Sequence, residues 1–157
     1  MPNYKTHLMG GFITFILIVF VFTYLLKQQN IIHFSISNAI IYVLFCLFGS
    51  LFPDIDTKSK IQKYIYYPLF AAIIITILIK NWLFLSILSV LAFVPILANH
   101  RKLTHRTWFI VFIPLLPIIL TSNLTKSHSK ELFMGYLFFV AGALSHLILD
   151  FGFFRVF

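Results

Sequence analysis

Polar residues interrupt an otherwise apolar sequence at long intervals, leaving runs at about 8–26, 37–52, 64–79, 82–98, 108–122 and 132–151. Apolar runs of about 17–25 residues can cross the hydrocarbon of a bilayer as helices, so the pattern predicts six membrane-spanning helices. The second, third and fifth runs are short for this and are expected to tilt little or to draw in neighbouring residues. No run has the alternation of a barrel strand. The first is not an evident cleavable signal, since Lys5 alone precedes it and no small-residue cleavage site follows. The expected fold is all-α, a polytopic membrane helical bundle forming a single integral membrane domain over residues 1–157.

Composition points the same way: 61% hydrophobic and 10% charged residues, with a mean hydropathy of +0.98, lie far from the averages of soluble domains. The net charge of +8 would suggest nucleic acid in a soluble domain. Here the basic residues sit at the ends of apolar runs, where anionic lipid head groups are the expected partners. No specific nucleic-acid partner is predicted. The single Cys46 cannot form an intramolecular disulfide, and a structural zinc ribbon is excluded.

The connections Lys27–Asn30, Lys80–Asn81 and Thr121–Lys130 fall on one side of a six-span bundle, and Pro53–Lys63 and Asn99–Arg106 on the other. The second side, with the termini, holds Lys5, Lys58, Lys60, Lys63, Arg101, Lys102, Arg106 and Arg155; the first holds Lys27, Lys80, Lys126 and Lys130. The excess of positive charge assigns both termini to the cytoplasm. That topology also gathers His7, Asp54, Asp56, His100, His105, His146 and Asp150 on the cytoplasmic side, leaving His33, His128 and Glu131 opposite. Only four acidic residues occur in the chain, and ionisable groups near a bilayer core are functional-site candidates by default.

Three motifs carry the chemistry. In Pro53-Asp54-Ile55-Asp56, proline ends a helix and carboxylates two residues apart can share a side of an extended turn, where they coordinate one ion or bridge two. A plain capping turn neutralised by Lys58 and Lys60 is the structural alternative. In His100-Arg101-Lys102-Leu103-Thr104-His105, two imidazoles in a short membrane-edge segment can meet one metal, and imidazole with carboxylate suits zinc, manganese or iron. The alternative is a basic interfacial loop. In His146-Leu147-Ile148-Leu149-Asp150, the i and i+4 residues share a helix face, either as two ligands or with Asp150 orienting His146. An interhelical hydrogen-bond pair is the bland reading. His7, ahead of Gly10-Gly11, is individually the weakest signal, while Gly135 and Gly142 would let a helix approach the last span closely.

The ordered combination of His7, then Gly49-x-x-x-Pro53-Asp54-Ile55-Asp56, then His100-Arg101-x-x-Thr104-His105, then His146-x-x-x-Asp150 resembles the YdjM-type inner-membrane proteins, described as membrane-bound, metal-dependent hydrolases. The resemblance runs from His7 to Asp150. It implies that His7, Asp54, Asp56, His100, His105, His146 and Asp150 line a metal site in a bacterial inner membrane. Where this family usually has Ser after the second histidine, the present chain has Arg106. A more distant likeness is to the helical folds of zinc-dependent phospholipase C and nucleases, which cluster His and Asp around several metals.

The ligand set exceeds the needs of one tetrahedral zinc, so the expected cofactor is a divalent metal, zinc or manganese, as two ions sharing an aspartate. Asp54, Asp56 and His105 are the candidate catalytic residues, with metal-activated water as nucleophile. Arg101, Lys102 and Arg106 are candidate contacts to a substrate phosphate, and the expected substrate is a phosphoester or related amphiphile reaching the cytoplasmic interface. A transporter would also keep Asp and His in a membrane, but would place polar groups at mid-span, where this chain has mainly Ile, Leu, Val and Phe. A non-enzymatic metal-binding scaffold is the other alternative. The topology is testable with single cysteines at Ser59 and Ser127 in a Cys46→Ala background: they are expected to label from opposite faces of the membrane, and labelling of both from one face contradicts the arrangement.

Overall fold

A computed structural model describes residues 3–26, 35–56, 60–81, 85, 88–89, 92, 104–122 and 129–152. Among these, all regular structure is helical: α1 (Tyr4–Leu26), α2 (Ile36–Leu51), a 3-10 turn (Phe52–Asp56), α3 (Lys60–Leu78), α4 (Thr107–Phe112), α5 (Leu115–Ser122) and α6 (Ser129–Phe151). The segments Tyr4–Tyr24, Ile36–Ile55 and Glu131–Phe151 are long and apolar enough to cross a membrane. Most of the run 82–98 lies outside the described residues.

Local chemistry accounts for the helix ends. Ser35 caps α2, its hydroxyl accepting the Asn38 N–H at 3.3 Å, which satisfies one of the unpaired amides of the first turn. At the other end Pro53 has no N–H to give the Gly49 carbonyl. The Phe52 N–H takes that carbonyl instead, and the chain tightens into the 3-10 turn. This differs from the extended turn expected of Pro53-Asp54-Ile55-Asp56. α3 ends with Lys80 at φ 54, the Lys80 N–H bonded to Ile77 and the Asn81 N–H to Thr76, a paired closure that satisfies the last carbonyls. α6 ends at Gly152, φ 76, whose N–H reaches Ile148.

The fifth apolar run is not one helix. Pro114 cannot donate to the Ile110 carbonyl, and the helix breaks at Ile113–Pro114 into α4 and α5. Tyr136 on α6 donates to the Val111 carbonyl at 2.9 Å just before the break. Irregular backbone among membrane helices survives where neighbours satisfy its polar groups.

α1, α2 and α6 make the core. α2 and α6 run in the same direction, with Tyr42 stacked on Phe138 towards one end and Ser50 against His146 towards the other. α1 runs against both: Phe15 packs on Phe138, and His7 lies beside Asp150. The close approach requires glycine at two positions. A Cβ on Gly49 would overlap the Phe139 carbonyl oxygen, and one on Gly142 would overlap the Cys46 carbonyl oxygen. α4 packs Phe109 against Phe52, Ile55 and Phe139, and Ile110 against Ala143 and Leu147. That docking brings Thr104 and His105, just ahead of α4, to the end of the core where His7 and Asp150 lie.

Because the obstacle at Gly142 is backbone, Gly142→Val is expected to destabilise the bundle by about 3 kcal/mol or more. A Cβ at Gly135 would meet only the ring of Phe45, itself partly exposed. Gly135→Ala is therefore expected to cost at most about 1 kcal/mol. Thermal unfolding in detergent would separate the two.

Candidate metal centre

Five of the candidate residues meet at one end of the core. His7 comes from the first turns of α1, Asp54 from the 3-10 turn after α2, His105 from the turn before α4, and His146 and Asp150 from successive turns of α6. His146 Nε2 lies 3.3 Å from Asp150 Oδ2 and 3.7 Å from Asp54 Oδ1. His105 Nε2 lies 3.8 Å from Asp150 Oδ2 and 3.9 Å from Asp54 Oδ1. His7 Nε2 is 3.6 Å from Asp150 Oδ1, and its ring stacks on that of His146 with centroids 3.7 Å apart. His7, the weakest signal in the sequence, is thus fully part of the cluster.

Main-chain geometry fixes the direction of His146. A 3-10 turn would pair the Ser50 carbonyl with the amide of residue 53, but Pro53 has none. The Ser50 oxygen accepts instead from His146 Nδ1 at 2.7 Å. With its proton on Nδ1, a neutral imidazole presents a lone pair at Nε2. That lone pair faces two carboxylates.

Such an arrangement is unfavourable by itself. His146 Nε2, His7 Nδ1 and Asp150 Oδ1 are buried with no hydrogen-bond partner, and buried polar atoms without partners are costly. A cation among them would accept the lone pairs and offset the carboxylate charge. The spacing fits: bonds of about 2.0–2.1 Å to imidazole nitrogen and carboxylate oxygen put the ligand atoms of a tetrahedral ion roughly 3.3–3.4 Å apart. His7, Asp54 and His146 form one group able to hold an ion, and His105, His146 and Asp150 another, with ligand atoms within 4.8 Å of one another in each.

Exposure separates the five residues. The side chains of His146, His7 and Asp150 are 0%, 2% and 8% exposed, whereas those of His105 and Asp54 are 14% and 26% exposed. The cluster is closed on its α1–α6 side and open towards the 3-10 turn. Arg106 is exposed at the start of α4 and makes no side-chain cap bond to it. His100, Arg101 and Lys102 lie outside the described residues, as do His33, His128 and the side chain of Asp56. Glu131 is exposed in the first turn of α6, about 28 Å along the helix from Asp150 at 1.5 Å per residue.

Sequence reasoning missed Ser50. Its contribution is a main-chain oxygen that any residue would carry, and the only signal was a proline three positions later.

A family model described as YdjM inner membrane protein matches residues 1–152. No curated protein and no solved structure matches the chain.

Proposed function

The chain belongs to the YdjM inner membrane protein family, and we propose that it is a membrane-bound, metal-dependent hydrolase acting on a phosphoester or related bond of an amphiphilic substrate. The observation that carries this reading is the buried Nε2 of His146, turned by the Ser50 carbonyl towards Asp54 and Asp150. A divalent cation, zinc or manganese, would supply Lewis acidity and lower the pKa of a coordinated water. One ion is favoured over the two expected from the sequence. Both candidate ligand groups draw on His146, whose Nδ1 is already engaged, so a single nitrogen serves both. A second ion would draw on Asp56 or His100.

The buried residues and the open ones would divide the work. His7, His146 and Asp150 hold the cation away from bulk water. His105 would complete the ligand set from the open side, and Asp54 borders the place where a substrate enters and can accept or return a proton there. Arg106, with Arg101 and Lys102, would neutralise the phosphate. Both termini would be cytoplasmic, in a bundle of six spans. Two contacts beyond the end of α3 support additional crossings: the Asn81 carbonyl accepts the Leu85 N–H, and Tyr66 of α3 donates to the Ala92 carbonyl.

Metal analysis of detergent-purified protein tests the site. About one equivalent of transition metal is expected in the wild type and in His128→Ala, and little in His146→Ala or Asp150→Asn. Equal metal content in all four would sink the proposal. Turnover of lipid phosphoesters, abolished by chelation and restored by metal, is expected of the wild type. A loaded protein inert towards them would point to a binding scaffold instead.

A further inference from the structure

We propose that Thr104 is a positioning residue that sets the ring direction of His105; this rests on the metal-site reading above. His105 is the one member of the cluster supplied by a turn outside regular helix or 3-10 structure, so no helical backbone restricts its rotamer. Its ring meets His146 and Phe151 edge-on, with centroids 5.6 Å and 6.0 Å away. Those contacts bound the ring without choosing which nitrogen faces the carboxylates.

The polar contact to Thr104 makes that choice. Thr104 is fully buried, and its Oγ1 lies 3.2 Å from His105 Nδ1. With Nδ1–H donating to the threonine oxygen, Nε2 presents its lone pair towards Asp54 and Asp150. The arrangement repeats that of His146 and Ser50 from a different part of the chain. In both, the outer nitrogen is engaged and the inner one is left to the cluster, as outer partners do for metal-bound imidazoles. The two devices differ in one respect. A carbonyl can only accept, whereas a hydroxyl can also donate, so Thr104 can satisfy either tautomer of His105 as the cluster fills or empties. The β-branch of threonine keeps the hydroxyl in a restricted set of rotamers.

Cobalt(II) titration of the full-length protein in detergent, followed by visible absorption, tests the proposal alongside thermal melting of the metal-free protein. Thr104→Val keeps the side-chain shape and removes the hydroxyl; it is expected to weaken Co(II) binding about 10–100-fold and to alter the ligand-field bands. Thr104→Ser keeps the hydroxyl and is expected to bind within roughly threefold of wild type, since the outer hydrogen bond survives. Both metal-free variants should melt close to wild type. Unchanged affinity and spectrum in Thr104→Val overturn the proposal, as do equal losses in both variants or a loss that tracks a fall in metal-free melting temperature. Failure of the wild type to bind Co(II) would instead overturn the metal-site reading, and this proposal with it.

Discussion

Contact between the backbones of α2 and α6 governs the arrangement at the site. Helices in a bilayer gain little from hiding apolar side chains from one another, because lipid tails are equally apolar; close packing at small residues and polar contacts between helices must hold them. Gly49 beside the Phe139 carbonyl and Gly142 beside the Cys46 carbonyl provide that packing. Only at such separation can His146 reach a main-chain oxygen of the neighbouring helix at 2.7 Å. The same approach sets Asp150, one turn further along α6, within reach of the histidines that also face Asp54.

The polar cluster lies towards one end of the bundle axis, and one apolar cluster of the core lies towards the other. Tyr42, Cys46 and Phe138 fill the interior on one side of the glycine contacts, with Phe15 from α1 packed against them. The charges gather on the other side, where the bundle opens and burying them costs less than at mid-membrane. Glu131, at the far end of α6, is exposed in a first helical turn, where the helix dipole favours a carboxylate.

Two prolines break helices, and in both places the structure uses a carbonyl next to the break. Pro53 leaves the Ser50 oxygen to orient a histidine, and the Val111 oxygen ahead of Pro114 receives the Tyr136 hydroxyl. The first break belongs to the site. The second fixes α4, whose Phe109 and Ile110 dock on the core and carry the preceding turn to the cluster.

Hydropathy determined the membrane class, the all-helical fold and the three long spans, because apolar length and the need to pair every backbone amide leave a hydrocarbon-embedded chain few alternatives. The spacing of His146 and Asp150 also carried over directly, since residues four apart on a helix must share a face. Tertiary structure decided the rest. His7 was a candidate ligand whose own motif was the weakest signal, and its contact with His146 exists only because α1 packs the two rings together. The run 108–122 read as one unbroken helix because its mean hydropathy is blind to the N–H that Pro114 lacks. The turn at Asp54 tightened because the Phe52 amide replaced the missing donor, and the role of Ser50 was hidden because its side chain has no part in it. Sequence determined which groups would avoid lipid; the direction in which each nitrogen and oxygen points depends on neighbours distant in the chain, and only packing brings those neighbours together.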